Sequence, residues 1–193
     1  TYSLLSPSTL KSFSKINEDS LEPEGNKESN DEIYSTLIGT MVHRLMEMMI
    51  MSKDKLSKEN IIDNILSEYQ TNEFIEYTYI FKTKLNNVYD VIHNGGYPQI
   101  NGAKQDILND LLNASELYSE VPFTYKEDNT IINGIIDLIY KKDDKLHIID
   151  WKTNKSDKDL ANHYKEQLNA YIKAVQQITN EKVEDALIYH IKL

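Results

Sequence analysis

The stretch from Gly134 to Thr153, GIIDLIYKKDDKLHIIDWKT, constrains this chain more than any other. It reads as two β-strands joined by the polar turn Lys141-Lys142-Asp143-Asp144-Lys145, with one aspartate inside each run of Ile and Leu. Side chains alternate along a strand, so Leu146, Ile148, Asp150 and Lys152 share one face, and His147, Ile149, Trp151 and Thr153 share the other. In the first run Asp137 sits among Ile135, Ile136, Leu138 and Ile139. An ionised carboxylate there is costly unless it is paired or bound to a cation. The simplest pairing is an antiparallel hairpin, which brings Asp137 and Asp150 close enough to share a hard cation through oxygen ligands, with the Lys152 ammonium beside it. From these residues alone two readings stay open, a metal site and a buried Asp–Lys pair. Asp143-Asp144-Lys145 repeats the Asp-x-Lys pattern and reads as a solvated turn.

Four segments then fall in order over about 130 residues: Gly39-Thr40-Met41-Val42-His43, Gly134-Ile135-Ile136-Asp137, Ile148-Ile149-Asp150-Trp151-Lys152-Thr153, and Gln167 with Tyr171. Together they resemble the RecB-type exonuclease branch of the PD-(D/E)xK nuclease superfamily. The resemblance implies an α/β (α+β) fold with a restriction-endonuclease-like core, a mixed β-sheet flanked by helices, and an added helical region. It implies His43, Asp137, Asp150 and the backbone carbonyl of Trp151 as metal ligands, and Mg²⁺ or Mn²⁺ as the cofactor. Asp137, Asp150, Lys152, Gln167 and Tyr171 are the catalytic candidates it carries over, the last two helping to hold the site and the nucleic-acid strand. Without the resemblance, His43 reads as a satisfied histidine at the edge of a helix face, and Gln167 and Tyr171 as part of an amphipathic core helix.

Glu120-Val121-Pro122-Phe123-Thr124-Tyr125 alternates as the first strand of the sheet, with Val121, Phe123 and Tyr125 inward. Glu120 is a further candidate for a cation or for orienting the site, set against the plainer reading of an exposed strand carboxylate.

With 193 residues the chain suffices for one domain and is too short for a helicase motor plus a nuclease; it also has no Walker-type phosphate loop. A single nuclease domain is expected, with an acidic mobile loop over 17–32, a helical insertion or cover over 53–118, and the catalytic sheet and helix over 119–193. The absence of cysteine excludes disulfides, thiolate zinc and an iron–sulfur cluster. No apolar run approaches the ~18 residues of a membrane span and no signal peptide is visible, so a cytoplasmic protein without membrane contact is expected. The first residue, Thr1, suggests a fragment of something longer.

The net charge of −10 sits awkwardly with DNA cutting, because Lys and Arg supply most non-specific affinity for phosphate. Lys141 to Lys165 departs from that average, with seven lysines against five aspartates. The chain reads as a cutting module that takes its grip on DNA from elsewhere. The expected function is a Mg²⁺/Mn²⁺-dependent deoxyribonuclease, exonuclease rather than endonuclease. It would be the C-terminal nuclease domain of a RecB- or AddA-like helicase–nuclease in double-strand break repair and recombination. Its expected partners are DNA, the helicase domains of the parent chain and a second helicase–nuclease subunit. The alternatives are a non-catalytic DNA-binding or interaction domain that keeps the fold, and a stand-alone endonuclease, against which the acidic charge argues.

Helices are expected over Thr40–Met51, with all five methionines as core packing, from Ser57 or Lys58 through Tyr69, over 74–92, over 105–118 and over 157–178. A short helix from Ser6 to Phe13 precedes them, and Ala186–Leu193 is expected to close the sheet as a strand.

Overall fold

The structure is a computed structural model and describes residues 3–5, 30–69, 72–99, 105–153 and 160–193. The expected Ser6–Phe13 helix and most of the 17–32 loop lie outside these residues. Five strands form one sheet: β1 (Ser3–Leu5), β2 (Glu116–Glu127), β3 (Thr130–Lys142), β4 (Lys145–Lys152) and β5 (Val183–His190). The helices are α1 (Asn30–Met51), α2 (Lys58–Tyr69), α3 (Thr78–His93), α4 (Ile107–Leu112), α5 (Leu160–His163) and α6 (Lys165–Thr179). The described residues fall into two compact units.

The first unit holds β1 and the described residues of Ser115–Asp150 and Asp159–Ile188. β3 is its axis. β2 runs antiparallel along one edge of β3, from Glu116 opposite Lys141 to Glu127 opposite Thr130. The other edge is shared: β1 lies parallel to Thr130–Ile132, and β4 lies antiparallel to Leu138–Lys142. The expected hairpin is therefore present, but its turn is tighter than the sequence suggested. Lys142 pairs with Lys145, leaving only Asp143 and Asp144 as turn residues, both left-handed at φ 50° and 61°. That is the type I′ geometry, whose twist matches the strands it joins.

α6 crosses from β4 to β5. Lys145 meets Glu184 at 3.0 Å and His147 meets Asp185 at 2.9 Å, while the Ile191 N–H donates to the Lys152 carbonyl at 2.8 Å. These contacts advance together along both strands, so β5 runs parallel to β4, as a helical crossover requires.

The core of this unit joins Phe123, Tyr125, Ile132, Ile136, Ile139, Leu146 and Ile148 to Ala170, Tyr171, Ala174 and Val175 of α6. Helical spacing in the sequence predicts an apolar stripe of Leu160, Tyr164, Leu168, Ile172 and Val175, with Gln167 and Tyr171 at its margin. The structure rotates that face: Tyr171 is buried, and Leu168 and Ile172 sit at the edge of the cluster. The two alanines explain the rotation, because small side chains let the helix backbone approach the sheet and leave room for the tyrosine ring edge-on to Phe123, at 5.6 Å and 79°.

Two further boundaries differ from expectation. The helix expected to run to Tyr118 ends at Leu112, and β2 begins at Glu116, because the ladder with β3 extends back through Leu117 opposite Tyr140. Local helical period over Glu116–Tyr118 loses to pairing with a strand distant in sequence. The helix expected from 157 is interrupted at Tyr164, between α5 and α6.

The second unit holds the described residues of Glu28–Ala114, Trp151–Lys158 and Tyr189–Leu193. α1 buries Met41, Val42, Leu45, Met46, Met49 and Ile50, and α2 buries Ile61, Ile62, Ile65 and Leu66. Met51 departs from the expected methionine core and is exposed. α2 starts where expected, with the Ser57 hydroxyl accepting from the Asn60 N–H at 3.2 Å. Arg44 of α1 donates to both Glu68 oxygens on α2 at 3.0 Å, and to Glu47 at 2.7 Å. The paired fork holds Glu68 below the usual carboxylate range. Gly96, at φ 79°, is obligatory. A Cβ there would stand 2.1 Å from the Gln105 carbonyl oxygen and 2.5 Å from the Tyr189 hydroxyl.

Candidate active site

Asp137 lies where β1 and β4 leave the shared edge of β3, one residue before the ladder to β4 begins at Leu138–Ile149. Continuing that register by one residue sets Asp137 opposite Asp150. Across the other edge, Ser119 pairs with Leu138 and Val121 with Ile136, so Glu120 stands opposite Asp137. Three carboxylates from three adjacent strands are thus brought to one level of the sheet. A Glu120 oxygen and an Asp137 oxygen lie within 4.8 Å of one another.

The backbone changes phase at this level. Ile132, Ile136 and Ile139 all sit in the α6 core, yet strict alternation cannot put Ile136 and Ile139 on the same face. The face therefore switches between them, where Asp137 sits. Opposite it, Glu120 has φ 49°, in the left-handed region that a glutamate enters at a cost. The kink lifts two carboxylates out of the regular pleat instead of burying them in the core. Glu120 is exposed and Asp137 half-buried, while Ile135, expected in the apolar run, is 52% exposed.

Asp150 is buried at 2% exposure at the end of β4. The Tyr171 hydroxyl donates to its Oδ1 at 3.5 Å, a long and weak hydrogen bond. Gln167 lies one turn earlier on α6, and its side chain acts on the Tyr171 phenol against the raising influence of burial and the aspartates. Burial first, then the charges of Asp150 and Asp137, push the Tyr171 phenol far above its ordinary range, so it stays a neutral donor. The Gln167 Oε1 is buried with no hydrogen-bond partner among the described residues.

The remaining candidates belong to the second unit. His43 is half-buried on α1, four residues after Gly39. Lys152 is half-buried at the last position of β4. Trp151 is buried and packs edge-on against Tyr189 at 5.7 Å and 83°, which fixes the strand end that carries its carbonyl. A close neighbour explains Gly39 in mid-helix: a Cβ on it would sit 3.1 Å from the Thr153 Oγ1, so α1 and the chain just beyond Lys152 approach closely only without a side chain there.

The carboxylate row fits a hard divalent ion. Like charges directly opposite on neighbouring strands are destabilising, and the paired oxygen donors of Glu120 and Asp137 are of the kind that a hard divalent ion takes.

Acidic side chains gathered at one level of paired strands suit metal-assisted cleavage of phosphodiesters, the chemistry of a nuclease class. The chain belongs to the PD-(D/E)XK nuclease superfamily, whose sequence model matches residues 17–192. Within it the chain is similar to the A-type subunits of the ATP-dependent helicase/nucleases of several bacteria. That of Carboxydothermus hydrogenoformans is 36% identical over 100 residues, 43% of this chain and 9% of the relative. That of Staphylococcus saprophyticus is 27% identical over 177 residues, 79% of this chain and 13% of the relative. That of Clostridium botulinum is 24% identical over 180 residues, 84% of this chain and 13% of the relative. The chain therefore spans roughly a tenth of the length of the relatives it matches. The superfamily and the helicase–nuclease kinship expected from the four segments are both borne out.

Proposed function

We propose that this chain is the nuclease module of a longer cytoplasmic helicase–nuclease acting in double-strand break repair, and that it hydrolyses DNA phosphodiesters from strand ends in a Mg²⁺- or Mn²⁺-dependent reaction. The observation that carries the reading is the Glu120–Asp137 pair, whose oxygens lie within 4.8 Å of one another, on strands whose register sets Asp150 at the same level, with Lys152 two residues beyond Asp150.

The proposed ligands are His43, Asp137, Asp150 and the Trp151 carbonyl, with Glu120 as a further carboxylate. A divalent cation held there lowers the pKa of water and polarises the phosphoryl oxygens. Lys152 places a fixed positive charge for the oxyanion that develops on the phosphorus and orients the attacking water. Tyr171 holds Asp150 in one rotamer through its hydroxyl, and Gln167 holds Tyr171. The high Tyr171 pKa keeps that proton in place across the working pH range. The net charge of −10 supports a module to which DNA is delivered by the rest of a longer protein and by a second helicase–nuclease subunit.

The test is degradation of linear and closed-circular DNA with Mg²⁺, with Mn²⁺ and with EDTA. Cutting of linear DNA alone, abolished by EDTA and reduced by about 10²-fold or more in Lys152→Ala and Asp150→Ala, is expected. Cutting that survives EDTA, or survives both substitutions, would overturn the assignment. Failure of Mn²⁺ to bind in a calorimetric titration would leave a DNA-binding domain that keeps the fold.

A further inference from the structure

The second unit contains a cavity of about 420 Å³, lined by Tyr34, Ser35 and Thr36 of α1, Lys84 of α3, Thr153 and two aliphatic side chains. We propose that this cavity is a nucleotide subsite, in which Lys84 and the surrounding hydroxyls hold a backbone phosphate of the DNA strand and Tyr34 meets a base. The proposal rests on the nuclease reading above and extends it to the substrate beside the scissile bond.

Charge is the first argument. The chain carries 31 acidic residues against 21 lysines and arginines, yet among the described residues the cavity is lined by no aspartate or glutamate. Five other lysines are paired: Lys58 with Asp90, Lys82 with Asp63, Lys141 with Glu181, Lys145 with Glu184 and Lys173 with Glu127. Lys84 is half-buried and has no acidic partner among the described residues. A cation kept partly from water and facing hydroxyl donors is the composition of a phosphate site.

Rigidity is the second. Tyr34 stacks on Phe81 at 5.3 Å and 17°, and Tyr77 tilts against it at 5.5 Å. Phe81 lies three residues before Lys84 on α3, so the helix that fixes the tyrosine also presents the lysine on the same side. An aromatic ring beside a cation is what single-stranded nucleic acid uses, base on ring and phosphate on charge. The volume suits one nucleotide, at the lower end of small-molecule pockets.

Position is the third. Thr153 follows Lys152 directly, about 3.3 Å farther along the chain, and its hydroxyl is set by the close passage of Gly39. Alternation turns Thr153 to the face opposite Lys152, but the strand ends at Lys152, so a nucleic-acid strand whose scissile phosphate lies at Lys152 reaches the cavity around that end.

The experiment is equilibrium binding of a fluorescent oligothymidylate of about ten nucleotides to the whole chain in EDTA at low salt, read by anisotropy across a salt series. Wild type, Lys84→Gln, Lys84→Glu, Thr153→Val and Lys82→Glu are compared, with circular dichroism melts as the folding check. The expected result is about tenfold weaker binding for Lys84→Glu and a log–log salt slope shallower by about 0.7 for both Lys84 variants, the signature of one lost phosphate contact. Lys82→Glu, on the Asp63 side of the same helix, keeps the wild-type slope. Wild-type affinity and slope in Lys84→Gln and Lys84→Glu, or no binding by the wild type, would overturn the subsite. Cleavage is scored separately: loss of the subsite with Lys152-dependent cutting intact removes this proposal alone, and Lys84-dependent binding without any cutting removes the nuclease reading alone.

Discussion

Two tyrosines of the second unit show how one hydroxyl can stabilise and a neighbouring one cost. The Tyr189 hydroxyl accepts from the Tyr97 N–H at 2.9 Å and donates to the Gln105 carbonyl at 3.2 Å. The Tyr97 hydroxyl is buried with no hydrogen-bond partner among the described residues. Removing a bonded hydroxyl strands its partners, whereas removing an unsatisfied one relieves a desolvation penalty. Tyr189→Phe is therefore expected to lower unfolding stability by about 1–3 kcal/mol, and Tyr97→Phe to leave it unchanged or raise it, both read from urea melts at neutral pH. Burial, and then Tyr189 beside it, push the Tyr97 phenol up to about 12 from its ordinary 10. A raised acid is neutral in both states below pH 10, so its contribution is fully present there. Above that the unfolded chain ionises first, and stability falls as pH rises through the folded value. Urea melts of the wild type are expected to lose about 2–3 kcal/mol more than those of Tyr97→Phe between pH 10 and 12. Tyr171 follows the Tyr189 case with a second consequence: Tyr171→Phe is expected to lower stability by about 1–3 kcal/mol, because it removes a donor from the buried Asp150 carboxylate, and to reduce cleavage through Asp150, while the ring still fills the core beside Phe123.

At the scale of elements, the hairpin turn and the mid-helix glycine pull in opposite directions. Asp143 and Asp144 hold left-handed angles that glycine adopts without strain, and the turn lies at the end of β3–β4 away from Asp137 and Asp150. Asp144→Gly is expected to add about 1 kcal/mol, a rise of roughly 2–4 °C in Tm for a chain of this size, with cleavage unchanged. Gly39 costs α1 about 1 kcal/mol of helix propensity relative to alanine, and the contact of 3.1 Å to the Thr153 Oγ1 says why it is tolerated. Gly39→Ala must displace Thr153, the residue after Lys152. The expected outcome is a melt within about 1 kcal/mol of wild type and a clear loss of cleavage rate, because displacement at the strand end is felt by Lys152 before it is felt by the core.

Over the whole molecule, acidity and function have to be reconciled. With a net charge of −10, the isolated chain is expected to bind duplex DNA no more tightly than the ~10⁻⁴–10⁻⁶ M of ordinary non-specific contacts at physiological salt, measured by anisotropy, and to weaken further as salt rises. Among the described residues no helix is long and apolar enough to cross a membrane. The chain's match to roughly a tenth of its relatives' length accords with a module whose substrate is delivered to it.

The hairpin, the aspartates inside it and the lysine two residues on were legible because strand periodicity and the cost of a buried carboxylate act locally, within twenty residues of chain. The helices of the second unit were legible for the same reason, since an apolar face at helical spacing needs no distant partner to declare itself. What pairing decided was invisible to local pattern: β2 reaching back to Glu116, β1 lying parallel to β3, and Glu120 standing opposite Asp137 with a left-handed backbone. Register is set by contacts far apart in sequence, so no single segment carries it. The same holds for the Tyr171–Asp150 bond and for the cavity that gathers Tyr34, Lys84 and Thr153. Sequence alone singled out the candidate residues; the tertiary structure decided which of them face one another, because distance and exposure are properties of the packed chain.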